Sequence, residues 1–215
     1  MKSEKTFVKG IENASPKSDS FAWLHLISNT REMFPLLSVK TKEFEEIENL
    51  SLKFCDSFLL PEPEMFDPEY TDWINSVKTS SMILDWIDEK DEEWILEKYD
   101  SRPGETRVKL NISDWLVYSC EEIARILGRF DIISSLKKLR LRLKHGIKEE
   151  LLSLIKFEGI GRTRARKLFR AGIKDAGDVK KISFDKLSSI LSSKIAENLK
   201  KQVGEKGLPE RLDKY

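Results

Sequence analysis

The sequence contains few residues that could form a disulfide or a metal site. Its two cysteines, Cys55 and Cys120, lie far apart, and both fall in segments with helical patterns. Because isolated thiols of this kind are usually reduced and buried in cytosolic proteins, we expect no disulfide. The two histidines, His25 and His145, also occur singly, so a zinc site is not expected. These absences predict a cytoplasmic protein without a metal centre.

Long apolar runs are also missing, and we predict neither a membrane-spanning segment nor a signal peptide. No stretch alternates apolar and polar residues with the period of a strand, whereas helical spacing recurs throughout. With 35% charged and 40% hydrophobic residues among 215, the composition is typical of a soluble, helix-rich protein that buries a core. The sequence therefore predicts an all-α fold.

Three motifs of common enzymes do not occur. There is no Gly-x-x-x-x-Gly-Lys-Ser/Thr phosphate loop, no Asp-Glu-x-His box and no Gly-x-Ser-x-Gly nucleophile turn. Seven acidic residues between Asp85 and Glu97 lack the spacing of converging metal ligands, and solvated helix ends explain them better. We expect that this chain by itself neither hydrolyses ATP nor cleaves DNA, and we predict no cofactor for it.

The charges that are present are strongly segregated. The segment from Glu43 to Asp100 contains 18 acidic and 4 basic residues, whereas Arg129 to Arg170 contains 13 basic and 4 acidic residues. A polyanionic partner for the later segment would explain its excess of cations. The acidic segment is best explained as a solvated helical exterior, although it could also face another protein.

Helical patterns divide the sequence into a multi-helix bundle over residues 1–144, a small helix-hairpin-helix domain over 145–204 and a loose tail over 205–215. In the bundle, Phe21–Ile27 is apolar nearly all round, which predicts a buried helix. The longest helix is predicted from about Glu105 to Leu127.

The hairpin pattern begins with a helix predicted from Ile147 to about Lys156. A tight turn containing Gly159 and Gly161 follows, and a second helix is predicted from about Arg162 to Ala171. Backbone amides at this turn and at the start of the second helix suit a phosphate. That helix also carries the cations Arg162, Arg164, Arg166, Lys167 and Arg170.

Two interpretations of this segment are open from its residues. A Gly-x-Gly turn between helices occurs as plain architecture, and an Arg-rich helix face is often only solvated. The combination of the turn, the cations and a glycine stop at Gly172 instead favours sequence-independent DNA binding.

Trp115 lies away from the main apolar face of the longest helix. Residues at about 100° intervals place Leu110, Leu116 and Cys120 together, with Trp115 to one side. A tryptophan in this position could stack on a nucleic-acid base, or it could pack on a neighbouring helix.

The hairpin residues, Lys144–Leu152 and Gly159–Ile173, closely resemble the last domain of archaeal Hjm-type, Holliday-junction-migrating helicases of superfamily two. Three upstream segments resemble the helical domain that precedes it: Leu24–Ile27, Glu64–Lys90 with its Val77–Thr79 and Asp85–Ile87, and Trp115–Leu116. The resemblance covers about residues 20–203 in the same order. It does not extend to the family's winged-helix domain or to its two motor domains, and the motor domains would bind ATP and Mg²⁺.

The resemblance implies roles for individual residues. In the family, a long ratchet helix contacts the translocating strand through an aromatic residue, which matches Trp115, and a basic residue two turns earlier. Val108 occupies the basic position here, and Arg107 is the nearest substitute. The family's Arg-rich motif matches Arg162, Arg164 and Arg166, which would grip single-stranded DNA.

Together these observations predict an accessory DNA-binding part of a 3′-to-5′ ATP-dependent helicase that acts in replication-fork repair and recombination. The expected partners are single-stranded and forked DNA and the helicase motor domains. A docking domain for repair proteins, with secondary DNA contact, is the alternative, and the acidic segment would then form the docking surface.

Overall fold

The computed structural model describes residues 2–204, with side chains from Lys5 onwards. Within this range the backbone forms helices, turns and loops without a strand, which confirms the predicted all-α fold. The chain divides into two compact units, Met1–Gly146 and Ile147–Tyr215. The loose tail predicted for residues 205–215 lies outside the described residues.

The first unit is a helical bundle. Its helices, within the described residues, are α1 (Lys2–Asn13), α2 (Ser20–Ser28), α3 (Phe44–Lys53), α4 (Tyr70–Ile87), α5 (Glu92–Tyr99), α6 (Pro103–Ile126) and α7 (Ile133–His145). Short 3₁₀ segments lie at Arg31–Met33, Thr41–Glu43, Cys55–Ser57 and Phe130–Ile132. The helix α6 starts two residues before the prediction because Pro103 occupies its first position, where a missing N–H costs no hydrogen bond.

The core of this unit surrounds α2, which is buried on all sides as predicted: eight of its nine residues are buried. Among them, the His25 Nε2 lies 3.0 Å from the Ser76 Oγ, and that hydroxyl donates to the Trp73 carbonyl at 2.7 Å. Because the hydroxyl proton is used there, His25 donates from Nε2 and is neutral. Burial lowers the pKa of His25 to about 3, in agreement with a structural role.

Two buried lysines tie the segment 30–43 to the long helices. The Lys78 Nζ on α4 donates to the Ser38 carbonyl at 2.9 Å and pairs with Glu43 at 2.7 Å. Lys109 on α6 donates to the carbonyl of Pro35, and burial lowers the pKa of its ammonium group. These two lysines therefore bind and stabilise the backbone of their own unit.

The second unit contains α8 (Arg162–Arg170), α9 (Ala176–Lys181), α10 (Phe184–Ile190) and α11 (Ser193–Gly204) within the described residues. Apolar side chains from all four helices and from the segment 147–160 form a separate core. The predicted stop after α8 is confirmed, since Gly172 has a φ of +84° in the left-handed region.

The prediction of a helix from Ile147 to about Lys156 is wrong. A 3₁₀ turn at Glu149–Leu151 and further tight turns occupy this segment, with amide bonds mostly to the third preceding carbonyl, as from Leu154 to Leu151 at 2.9 Å. Buried apolar residues follow one another at intervals of three: Leu151, Leu154, Phe157 and Ile160. Three residues per turn is the 3₁₀ period, so burial of this row favours tight turns over an α-helix.

Candidate nucleic-acid interface

The turn before α8 presents backbone rather than side chains. Gly159 has a φ of +79°, a conformation that glycine adopts without strain, and Ile160 is buried in the core of the second unit. Gly161 has an ordinary φ of −100° and open space where a Cβ would lie. Gly159 is therefore required by conformation, whereas Gly161 leaves the peptide accessible from outside.

The amides at the start of α8 are oriented for an anion. Gly161 is the N-cap residue of α8, and no side chain caps the first turn. The first amides of a helix have no intrahelical acceptor and carry the positive end of the helix dipole. A phosphate oxygen is a suitable acceptor for them.

Arg164 bends back over the turn. Its Nη1 donates to the Gly159 carbonyl at 2.8 Å, while the residue remains exposed to solvent. The guanidinium group therefore holds the turn in shape and is placed next to the backbone that a phosphate would approach.

Arg166 is used inside the unit more than the sequence indicated. Its Nη1 lies 2.6 Å from Glu150, its guanidinium carbon lies 5.3 Å from the Phe169 ring, and its side chain is only 18% exposed. Arg166 therefore joins the 3₁₀ turn to α8. Arg162 is half-buried at the first position of α8, and Lys167 and Arg170 are exposed.

In the first unit, the predicted aromatic residue lies on an open helix face. Trp115 is 56% exposed on α6, and Val108, two turns earlier, is exposed on the same face. More than half of Trp115 is open to solvent, so packing within this unit covers only part of its side chain. The face is apolar at both positions.

The cations beside Val108 do not take its place. Arg107 points about 100° away on the helix and lies 3.8 Å from Glu92. Lys109 is buried against backbone carbonyls. Among the described residues of α6, Arg107 and Lys109 therefore lie off the face of Val108, and a role for Arg107 in DNA binding stays a prediction.

Tyr118 is an exposed aromatic residue that the sequence argument missed. It lies one turn after Trp115 on α6, is 42% exposed, and has the Arg140 guanidinium 4.8 Å from its ring centre. Arg140 is itself held by Asp114 through contacts of 3.0 and 3.3 Å. The spacing of three residues from Trp115 was the signal for Tyr118, whereas the pairing of Arg140 has no local signature.

Gln202 on α11 was missed as well. Its carboxamide contacts both backbone groups of Glu158, at 2.8 Å to the N–H and 3.1 Å to the carbonyl. Glu158 immediately precedes the Gly159 turn. A contact between residues 44 positions apart cannot be found from spacing.

The basic count of the segment 129–170 overstates its free charge. Arg142 on α7 is buried and bonds to Ser20 at 2.6 Å and to Asp88 at 3.2 Å. Arg129 donates to the carbonyls of Ile11 and Ala14, each at 2.7 Å. These arginines stabilise the bundle, and the exposed cations of α8 belong to the second unit.

The candidate interface thus has two parts, an exposed aromatic helix face in an all-α bundle and a separate basic unit with a tight glycine turn. Residues 21–146 match the model of the archaeal helicase domain 4 family. The chain belongs to this family, and the resemblance predicted from its residues is confirmed.

Similar proteins extend the match to almost the whole chain. ATP-dependent DNA helicase Hel308 of Methanocaldococcus jannaschii is 34% identical over 98% of this chain and 16% of its own length. The Hel308 proteins of Caldivirga maquilingensis and Methanococcus vannielii are 30% and 36% identical, over 92% and 89% of this chain and 27% and 24% of their own lengths. The chain thus spans about a quarter or less of these relatives.

Neither a membrane span nor a metal cluster is found in the part of the chain that the structure describes. No helix there combines the length and apolarity needed to cross a bilayer. No group of three or more His, Cys, Asp or Glu side chains there could hold a metal ion.

Proposed function

We propose that this chain binds single-stranded and forked DNA as an accessory part of an ATP-dependent 3′-to-5′ helicase acting in replication-fork repair and recombination. The relatives are ATP-dependent DNA helicases, so ATP and Mg²⁺ would be bound by motor domains that this sequence does not contain. The observation that carries the proposal is the exposed backbone at Gly161, where no side chain caps α8 and the Arg164 guanidinium bonds to the neighbouring turn.

The second unit would bind the phosphodiester backbone. Phosphate oxygens would accept hydrogen bonds from the amides after Gly161, with Arg162, Arg164 and Lys167 adding charge nearby. Residues 147–204 contain 14 basic and 7 acidic residues, so the unit as a whole attracts a polyanion. Backbone contacts of this type do not distinguish base sequences.

The first unit would contribute stacking rather than charge. Trp115 offers an exposed indole to a base, and Tyr118 lies one turn further along the same helix. Every base has a π-face, so such contacts tolerate any sequence, and each adds roughly 1–3 kcal/mol.

A salt titration of DNA binding tests the proposal. Fluorescence anisotropy would measure the affinity of the chain for labelled single-stranded and forked DNA across a series of salt concentrations. We expect a steep salt dependence whose slope falls by about one for each phosphate-binding cation replaced, for example in Lys167→Gln. A variant that loses affinity for some base sequences only would contradict backbone binding.

Arg164 and Arg166 need a stability control in this experiment, because both also hold the turn region together. Their glutamine variants should be compared at matched folded fractions, established by thermal unfolding. An affinity loss that vanishes after this correction would remove them from the DNA contact and leave them as structural residues.

A protein-docking function is the second candidate, and one exposed loop favours it. Between α3 and α4, Met65 and Phe66 are 59% and 95% exposed among the acidic residues Glu62, Glu64, Asp67 and Glu69. Exposed apolar side chains of this size often mark contact with another protein. Loss of pull-down of DNA-repair proteins in Met65→Ser/Phe66→Ser, at unchanged DNA affinity, would support docking.

A further inference from the structure

We propose that Gln202 is a positioning residue for the phosphate-binding turn. Its carboxamide would hold the peptide groups of Glu158 in place, so that the amides after Gly161 are preorganised for a DNA phosphate. This inference rests on the proposed function and adds a residue, more than 30 positions beyond α8, that the Arg-rich motif does not contain.

The contact is bidentate and its direction is fixed by chemistry. The Glu158 N–H donates to the Gln202 Oε1 at 2.8 Å, and the Gln202 Nε2 donates to the Glu158 carbonyl at 3.1 Å. In the reversed carboxamide, the Nε2 would face the Glu158 N–H and the Oε1 would face the Glu158 carbonyl. Only the orientation described here therefore satisfies both hydrogen bonds. The Gln202 carboxamide therefore satisfies both backbone polar groups of Glu158.

Three consecutive residues of the turn are fixed by three different means. Gln202 holds Glu158, the Arg164 guanidinium holds the carbonyl of Gly159 at 2.8 Å, and Ile160 is buried in the core. Gly161 follows as exposed backbone with open space on its Cβ side. The turn is therefore rigid up to the residue where a phosphate would make contact.

The helix that carries Gln202 is itself anchored. Ala196 and Leu199 of α11 are buried in the core of the second unit. From the same helix, the Lys200 Nζ donates to the carbonyls of Val179 and Lys180 at 2.9 and 3.1 Å, at the end of α9. Because α11 is held at both places, Gln202 connects the turn to a fixed part of the unit.

A rigid turn affects binding in a way that differs from a cation. Binding to a preorganised site avoids the entropy cost of ordering it, so loss of the clamp lowers affinity. The number of phosphates neutralised does not change when a neutral side chain is replaced. The salt slope of binding should therefore stay constant, in contrast to its fall when a phosphate-binding lysine is removed.

The experiment uses Gln202→Met, which keeps the length and helix propensity of the side chain but removes both hydrogen bonds. Asn198→Met, an exposed amide one turn earlier on α11, is the matched control. We expect Gln202→Met to bind single-stranded DNA about three- to tenfold more weakly at an unchanged salt slope. Hydrogen exchange of the amides at 158–161 should become faster, and Asn198→Met should match the parent in both measurements.

Three results would overturn the inference in distinguishable ways. If Gln202→Met binds DNA like Asn198→Met, Gln202 has no role in positioning the turn for DNA. If its affinity falls together with a fall in salt slope of about one, the substitution has removed a phosphate contact rather than the rigidity of the turn. If the parent chain itself shows no salt-dependent DNA binding, the proposed function fails with it. Should Gln202→Met be poorly folded, Gln202→Ala is measured under the same criteria.

Discussion

The two units of this chain differ in charge balance and in the exposure of their cations. Residues 1–146 contain 27 acidic and 21 basic residues, and several of the basic side chains, including Lys78, Lys109 and Arg142, are directed at protein oxygens inside the bundle. Residues 147–204 contain 14 basic and 7 acidic residues, and Lys167 and Arg170 of α8 are exposed. A basic segment therefore predicts an anionic partner only after the cations that bond inside the protein are subtracted from its count of basic residues.

The difference extends to how each unit would contact DNA. The first offers exposed aromatic rings on α6 and the apolar Val108 on the same helix face as Trp115, so its contribution should depend little on salt. The second offers backbone amides and cations, so its contribution should fall steeply with salt. Mutations that act on one unit alone can separate these contributions.

We expect the largest loss of stability when a buried cation of the first unit is removed. Lys78→Met removes the buried partner of Glu43 and of the Ser38 carbonyl, and we expect a loss of about 3 kcal/mol in unfolding free energy. Chemical denaturation measures it. Lys40→Met, which removes a solvent-exposed pair with Asp100, should change stability little, and equal losses in both variants would contradict the assignment.

Trp115→Ala tests stacking in the first unit. We expect single-stranded DNA affinity to fall by about 2 kcal/mol with the salt slope unchanged, because a neutral contact is removed. Anisotropy across salt concentrations measures both quantities. Val108→Ala on the same helix face is the control, and a Trp115→Ala variant that binds like it would return this residue to a structural role.

The buried histidine makes the first unit acid-sensitive. Because the pKa of His25 is about 3 in the folded chain against an ordinary 6.5, the unfolded chain binds more protons between these values. Stability should therefore fall as pH drops below 6.5, by about 2 kcal/mol between pH 7 and pH 5. Half-burial also lowers the pKa of His145, which adds a loss of the same sign.

Denaturation at pH 7 and pH 5 would measure this loss. His25→Phe keeps an aromatic ring among Phe58 and Trp73 but cannot titrate, so most of the pH dependence should disappear. An undiminished dependence in His25→Phe would show that other groups cause it.

The smallest expected effect separates the two turn glycines of the second unit. Gly159→Ala forces a side chain into a φ of +79° and should cost about 1 kcal/mol, whereas Gly161→Ala meets an ordinary φ and open space. Thermal unfolding should show the loss in Gly159→Ala alone. Gly161→Ala should instead weaken DNA binding, since its methyl group covers the exposed backbone; reversed results would exchange the roles of the two glycines.

Helical periodicity was sufficient to predict the all-α fold, the buried helix α2 and the second hairpin helix within one residue. It failed at 147–156, where the buried residues Leu151, Leu154, Phe157 and Ile160 recur every three positions. This spacing is close to the 3.6 residues of an α-helical turn and was mistaken for it.

Backbone conformation was predictable where it depends on local sequence, as at Gly172, whose positive φ follows from its place at the end of α8. Site chemistry was not predictable where the partner is distant in sequence. The bonds of Arg142 to Asp88, Arg166 to Glu150 and Gln202 to Glu158 join different elements, and no spacing rule connects them. The charge count over residues 129–170 therefore indicated a basic segment, but not which of its arginines bond inside the protein.

The most direct test of the central claim is a titration of the isotope-labelled intact chain with a single-stranded oligonucleotide, followed by amide and indole NMR shifts. We predict changes concentrated at residues 158–164, at the exposed side of α8 and at the Trp115 indole, with the acidic segment 43–100 unaffected. Shifts confined to that acidic segment, or none at the hairpin, would contradict the account.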